Sequence, residues 1–104
     1  MDLKLAPFEI RFLYYGKLYH ARVEQIFLSD LYERFKVTGG KKSVEILSNR
    51  PLVRHSKGRG KVKMQALHVH PVHQQIALDI IAKIQEHIHA IEHPPVDWRE
   101  HYKK

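Results

Sequence analysis

Hydrophobic and polar residues alternate along the first part of the chain. Between residues 8 and 14 the apolar side chains occupy every second position, at Phe8, Ile10, Phe12 and Tyr14. A period of two is typical of a strand with one buried face, because successive side chains of a strand point to opposite sides. The sequence Tyr15-Gly16-Lys17-Leu18 follows and predicts a tight type II′ turn with Gly16 at its first central position. Residues 8–25 are therefore predicted to form a β-hairpin.

The predicted turn also fixes which residues of this first hairpin face each other. A turn centred on residues 16–17 pairs Phe12 with Ala21, so an apolar side chain lies opposite an apolar side chain. The same register places Arg11 directly opposite Arg22, an unfavourable pair unless acidic side chains on the diagonals compensate. We expect this register because the turn sequence and the apolar pattern agree on it.

A second hairpin is predicted over residues 32–47, around Gly39-Gly40-Lys41-Lys42. A bare Gly-Gly turn would place Glu33 opposite Ile46, whereas a four-residue loop places Phe35 opposite Ile46. The second register keeps apolar residues together and is the one that we expect. The two hairpins together cover residues 8–47.

The chain changes character after the second hairpin. Residues 48–61 are rich in turn-forming and basic residues and predict an exposed basic loop, with a short edge strand at Leu52 and Val53 as the one regular piece. Alternation resumes in residues 62–67, which predict a fifth strand.

One long helix is predicted near the end of the chain, over residues 71–93. Pro71 suits its first turn, where a missing N–H costs nothing, and Pro94-Pro95 ends it. The apolar side chains that recur at helical spacing are Ile76, Ala77, Ile80, Ile81, Ile84, Ile88 and Ile91. A tail, residues 94–104, follows the helix, and its Val96 and Trp98 are expected to pack on the core.

These elements predict one small α+β domain over residues 1–104. An antiparallel four- to five-stranded sheet built from two β-hairpins carries one long C-terminal helix on its apolar face. The 104 residues are 43% hydrophobic, which is enough for one modest core, and the absence of cysteine excludes disulfides and thiolate metal sites. No apolar run approaches the roughly 18–20 residues that a membrane span needs, and no signal-peptide pattern begins the chain. We therefore expect a cytoplasmic protein.

The net charge of +7 is concentrated in the middle of the chain. Residues 36–63 contain nine basic residues and one acidic residue, whereas residues 1–35 are neutral and residues 64–104 are slightly acidic. Such a cluster favours binding to a polyanion, above all nucleic acid, because lysine and arginine neutralise phosphates and release condensed counterions. The expected contacts are to phosphates rather than bases, and the candidate residues are Lys41, Lys42, Arg50, Arg54, Lys57, Arg59, Lys61 and Lys63. An acidic protein, an anionic membrane surface or a merely solvated loop are the alternatives.

Nine histidines raise the question of a metal site. The weak candidates are His68, His70 and His73 before the helix, and His89 and His93 within it. Residues 89–93 match the string H-x-x-E-H of inverted zinc peptidases, but Pro94 follows at once and little chain remains to build a cleft. We therefore expect neither a peptidase nor a bound cofactor. His87 falls at the edge of the apolar helix face, where a structural histidine is the ordinary expectation.

The sequence shows no catalytic constellation. None of its serines lies in a nucleophile elbow, and no phosphate-binding loop or small-molecule site is evident. The expectation is therefore a binding module rather than an enzyme. The alternative is a structural or protein-interaction module that self-associates as a homodimer, suggested by Leu78 on the polar side of the predicted helix.

Overall fold

The computed structural model describes residues 3–56 and 60–93 and confirms the α+β architecture. A five-stranded antiparallel sheet follows the order of the chain, and a long C-terminal helix lies across one face. The strands are β1 (Phe8–Tyr14), β2 (Lys17–Leu28), β3 (Glu33–Gly39), β4 (Lys42–Ser48) and β5 (Met64–Leu67). The helices are α1 (Arg50–His55) and α2 (Gln74–Glu92), and a 3₁₀ turn, Pro71–His73, leads into α2.

The first hairpin forms as predicted, but its register differs by two residues. Phe12 pairs with Tyr19, so the predicted pairing of Phe12 with Ala21 is wrong. The predicted type II′ turn is wrong as well: the turn consists of Tyr15 and Gly16, with Gly16 second, and both have positive φ (50° and 74°), as a type I′ turn requires. An even shift leaves every side chain on its face of the sheet, and it removes the like-charge pairs: Arg11 now lies opposite His20, and Arg22 opposite Glu9.

The second hairpin has the predicted register. Phe35 pairs with Ile46 and Val37 with Val44, but the predicted four-residue loop is wrong, because pairing continues to Gly39 and Lys42 and leaves a two-residue turn. Gly40, with φ of 60°, supplies the left-handed backbone conformation at that turn.

The core lies between α2 and the sheet. Five helix residues are buried on the sheet, Ala77, Ile80, Ile81, Ile84 and Ile88, against Ile10, Phe12, Val23, Phe35, Val37 and Ile46. Ile91 was predicted to continue this stripe, but it is exposed, because the described core ends at Ile88. Leu78 is exposed, as its place on the polar side of α2 predicts. In the described ranges, neither helix is both long enough and apolar enough to cross a bilayer.

Residues 50–55 form α1, so the predicted exposed loop with an edge strand is wrong over this stretch. Pro51 fits the first turn of the helix, and Pro51 and Val53 are buried. Asn49 ties the start of α1 to the chain before β5, because its Oδ1 accepts from the Lys63 N–H at 2.6 Å. The strand predicted over residues 62–67 is confirmed as β5, which begins two residues later. The tail with Val96 and Trp98 lies outside the described residues.

The sheet presents one covered face and one open face. The face opposite α2, here called the open face, is covered by no element among residues 3–56 and 60–93. Strand alternation places on it the charged and imidazole side chains of Glu9, Arg11, His20, Arg22, Glu24, Arg34, Lys36 and Glu45. The β1–β2 and β3–β4 turns lie at one end of the sheet, here called the turn end; α1 and the β2–β3 turn lie at the other, the α1 end.

Candidate polyanion-binding surface

Arg50 is inside the protein and cannot contact a phosphate, so its prediction as a binding residue is wrong. Its side chain is 3% exposed and faces Glu33, which is fully buried. The Nε and Nη2 atoms of Arg50 donate to the two carboxylate oxygens of Glu33 at 2.7 and 2.6 Å, and Nη2 also donates to the Leu3 carbonyl at 2.7 Å. This bidentate pair anchors α1 and the N-terminal segment to β3.

Further hydrogen bonds complete the environment of the Glu33 carboxylate. Ser48 Oγ donates to one oxygen at 2.8 Å, and Gln25 Nε2 donates to the other at 2.8 Å. The Arg50 backbone N–H in turn donates to Ser48 Oγ at 3.1 Å. A buried charge is tolerable only when it is paired and its remaining lone pairs are satisfied, and here both conditions hold. The role of Arg50 and Glu33 is therefore structural.

Arg54 is also paired with a carboxylate. Its Nε and Nη2 donate to the two oxygens of Glu92 at 2.9 and 2.5 Å, joining α1 to the last turn of α2. The hydrogen bonds from Arg54 hold the pKa of Glu92 below its ordinary value despite partial burial, and the same pairing raises the pKa of Arg54. Arg54 and Glu92 line a cleft of about 180 Å³ with His89 and His93, whose rings lie 4.6 Å apart. The charges of this cleft largely balance.

The candidate histidines do not assemble a metal site in the described part of the chain. No group of three or more His, Asp or Glu side chains is placed there to ligate one ion. His70 instead caps the turn before α2, because its Nδ1 accepts from the Val72 N–H at 3.2 Å. His68 has a positive φ of 56° and belongs to the bend that follows β5.

His87 has a structural role of the kind that its position predicts. Its ring stacks on Phe8 of β1, with centroids 3.7 Å apart and an interplanar angle of 10°. Burial lowers its pKa, because charging the ring would require water that the packing excludes.

The exposed candidate lysines lie at opposite ends of the sheet. Lys41 and Lys42 lie at the turn end, and Lys61 and Lys63 at the α1 end, where β5 is about to begin. The seven residues of β4 separate the two pairs by about 20 Å, at roughly 3.4 Å per residue. Lys57 and Arg59 lie outside the described residues. The basic middle segment is therefore divided among a core arginine, an ion-paired arginine and two distant lysine pairs.

The open face adds cations that the count along the chain did not identify. Arg11, Arg22, Arg34 and Lys36 lie on it, in three neighbouring strands. Arg22 pairs with Glu24 at 3.1 Å and Arg34 with Glu45 at 3.4 Å, both at partly exposed positions. Lys36, Lys41 and Lys42 form no ion pair with a described carboxylate. Strand alternation in the sequence was the signal that could have grouped these residues.

Aromatic rings lie beside the open-face cations. Phe27, which follows a bulge in β2, stacks on Tyr32 with ring centroids 5.0 Å apart, and both rings are partly exposed. The Arg34 guanidinium lies over the Phe27 ring, 5.6 Å from its centroid. At the turn end, Tyr15 is 90% exposed beside Lys17. Exposed rings beside cations can stack on unpaired bases.

Charge is divided between the two layers of the fold. The open face, the β2–β3 and β3–β4 turns and the chain before β5 carry seven described cations, Arg11, Arg22, Arg34, Lys36, Lys41, Lys61 and Lys63, whereas Lys17 and Lys42 lie at the turn end in strand positions that alternate to the α2 side. The same regions carry four acids, Glu9, Glu24, Asp30 and Glu45. Helix α2 has one lysine, Lys83, against Asp79, Glu86 and Glu92. The described cations are therefore in excess on the open face and its adjoining turns, whereas on α2 two of the three acids, Glu86 and Glu92, are already paired with Lys83 and Arg54.

Comparison with known proteins does not supply a family. No protein-family model matches the chain, and no curated protein and no solved structure is significantly similar to it. The surface described above therefore carries the functional argument alone.

Proposed function

We propose that this protein is a cytoplasmic binding module, not an enzyme, and that it binds nucleic acid on the open face of its sheet. The observation that supports this proposal is the division of charge: seven cations against four acids on the open face and its adjoining turns, and one cation against three acids on α2. A uniform solubilising coat would not separate the signs by layer. The cations would contact phosphates and release counterions, which gives affinity that is strong at low salt and tolerant of sequence.

Single strands are the form of nucleic acid that this surface fits best. A five-stranded sheet offers a broad surface rather than a helix that could enter a major groove. The stacked Phe27 and Tyr32 rings offer a surface on which an unpaired base could stack, and Arg34 lies beside them. Lys36, Lys41 and Lys42 supply charge without a competing ion pair to a described carboxylate.

The test is a salt titration of binding to mixed-sequence single-stranded and duplex nucleic acid, followed by fluorescence anisotropy. The variant replaces Lys36, Lys41 and Lys42 with serine. Each lost phosphate contact reduces the slope of log affinity against log salt by about 0.7 on single strands, so the triple variant is expected to lose about 2 from that slope. A control on the other layer is Lys83→Ser, which removes the one lysine of α2 and is expected to leave the slope unchanged.

Two results would contradict the proposal. One is the absence of binding by the unmodified protein at low salt. The other is a triple variant whose slope equals that of Lys83→Ser, since the lysines would then contribute only to net charge. Stronger binding to duplex than to single strands would keep the cationic surface and exclude the stacking role of Phe27 and Tyr32.

A further inference from the structure

We propose that two copies of this protein pair through their β1 strands, antiparallel and about a two-fold axis, so that two five-stranded sheets become one. The proposal concerns the edge of the sheet and does not rest on nucleic-acid binding. Its basis is the position of β1 in the sheet and the charges that β1 carries.

The outer edge of β1 is available for pairing. β1 is an edge strand of seven residues, and within residues 3–56 and 60–93 its only sheet neighbour is β2. Tyr14 and Lys17 close the two-residue turn, and the pair that closes such a turn is hydrogen-bonded. Along an antiparallel ladder, hydrogen-bonded pairs alternate with non-hydrogen-bonded pairs. Glu9, Arg11 and Leu13 therefore direct their backbone N–H and C=O groups away from β2. Such an unpaired row is a template for another strand.

Helix α2 packs on the face of β1 without closing its edge. Lys83, Glu86 and His87 of α2 border an open cleft of about 270 Å³ together with Glu9, Ile10 and Arg11. The apolar face of β1, by contrast, is covered, since Ile10 and Phe12 are buried under the helix. A partner would therefore add to the edge without displacing the core.

The charges of β1 select one register. When Ile10 lies opposite the partner's Ile10, Glu9 faces the partner's Arg11, and Arg11 faces the partner's Glu9. Glu9 and Arg11 are also the residues with outward backbone groups, so this register satisfies hydrogen bonding and charge together. The neighbouring registers with the same hydrogen-bonding pattern place Glu9 opposite Glu9 or Arg11 opposite Arg11, which like charges disfavour. Within one copy, Arg11 lies opposite His20 and forms no ion pair with a described carboxylate, so it is available to a partner.

Closure of the pair follows from its symmetry. A two-fold contact uses the same edge of both copies, so it ends at two and does not propagate. Pro7, directly before β1, has no N–H to donate and limits the ladder at that end. The opposite edge of the sheet is β5, which has only four residues. The described part of the chain therefore offers one edge that suits a dimer, and a second copy is the partner that the charges fit.

The mass of the protein in solution, free of nucleic acid, tests the pairing by sedimentation or light scattering. We expect twice the chain mass for the unmodified protein. Arg11→Glu and Glu9→Arg each place like charges opposite one another in the dimer, and each is expected to give the chain mass. The double variant Glu9→Arg/Arg11→Glu exchanges the charges and is expected to restore the dimer. The control Leu78→Asp, on another side of α2, is expected to remain dimeric.

Three outcomes would overturn the proposal: a monomeric unmodified protein at every accessible concentration, single variants that remain dimeric, or a double variant that stays monomeric although circular dichroism shows that it is folded.

Hydrogen exchange of the unmodified protein tests the same pairing without any mutation. The Glu9 and Arg11 amides are expected to exchange slowly in concentrated samples and rapidly on dilution, while the Ile10 and Phe12 amides, bonded to β2, stay protected in both. Rapid exchange at Glu9 and Arg11 at every concentration would contradict the pairing.

Discussion

The α1 end and the β3–β4 turn lie in the same basic stretch of sequence, yet the fold uses their charges in opposite ways. At the α1 end, Arg50 is buried against Glu33, and Arg54 holds Glu92. At the turn, Lys41 and Lys42 are exposed and form no ion pair with a described carboxylate. A surplus of charge along a sequence is therefore not the same as charge available to a partner.

The chemistry of the two cations accounts for the difference. The planar arginine fork makes two parallel hydrogen bonds to a carboxylate and is weakly hydrated, so it can leave water, whereas the lysine ammonium is a strongly hydrated point charge. Four of the five arginines in the described ranges pair with a carboxylate, Arg22, Arg34, Arg50 and Arg54. For this chain, lysines are therefore the better guide to charge that is not already paired within the fold.

The largest effect on stability is expected from Arg50→Met, which tests the structural side of the comparison. The substitution keeps an apolar stem of similar length but leaves the Glu33 carboxylate buried without its cation. Breaking a buried pair in this way costs about 3–5 kcal/mol of unfolding free energy, which denaturant titration measures.

The double variant Glu33→Leu/Arg50→Met separates the loss of a pair from the loss of one partner. It leaves no unpaired buried charge, so we expect it to be more stable than Arg50→Met. If Arg50→Met lowers the unfolding free energy by less than about 1 kcal/mol, which is the size of a surface effect, then the charges of the α1 end and of the β3–β4 turn do not differ as described.

An intermediate effect is expected from Glu92→Gln, which removes the carboxylate that holds Arg54. The pair is partly buried, and we expect a loss of about 1–2 kcal/mol at neutral pH. The folded pKa of Glu92 lies below its ordinary value of 4.5, so its ionisation stabilises the fold above that pH and the contribution is lost as the pH falls through the folded pKa. Unfolding measured from pH 7 downward should therefore show a smaller acid dependence in Glu92→Gln.

Glu86→Gln is the matched control for Glu92→Gln. Glu86 also lies on α2, but its bond to Lys83, at 3.2 Å, is a solvent-exposed pair of neighbouring turns. We expect at most about 0.5 kcal/mol from its loss. If Glu92→Gln and Glu86→Gln lower the unfolding free energy equally, then the Arg54–Glu92 pair contributes no more to stability than a solvent-exposed ion pair.

The sheet and the long helix were predictable because their patterns are local. Period two in the strands and helical spacing in α2 each report one buried face. The register of the second hairpin followed as well, since only one choice kept Phe35 opposite Ile46. The first hairpin offered no such choice, because both of its registers place an apolar residue opposite Phe12, Ala21 in the predicted one and Tyr19 in the observed one. Two features distinguish the registers. One is the pairing of Glu9 with Arg22 and of Arg11 with His20, and the other is the positive φ of Tyr15, since tyrosine seldom adopts a positive φ.

The basic middle segment could not be interpreted from its own residues, because distant parts of the chain decide its structure. Helix α1 has six residues, too few to show a helical period, and it depends on contacts made by Arg50 with Leu3 and Glu33. One signal was present: Glu33 shares the buried parity of Phe35 and Val37 in β3. A carboxylate at such a position needs a cation in the core, and Arg50 is that cation.

The smallest effect on stability is expected from the double variant Lys41→Ser/Lys42→Ser, which tests the other side of the comparison. Neither lysine forms an ion pair with a described carboxylate, and both are exposed, so removing them should change the unfolding free energy by no more than about 0.5 kcal/mol. Lys61→Ser/Lys63→Ser is the matched pair at the α1 end, where the Lys63 bond to Asn49 uses the backbone N–H and survives the substitution. Denaturant titration of both double variants and of Arg50→Met measures the three changes in unfolding free energy for comparison. A loss above about 1 kcal/mol in Lys41→Ser/Lys42→Ser would assign these lysines a structural role like that of the arginines, and the cationic surface would then have to be sought elsewhere.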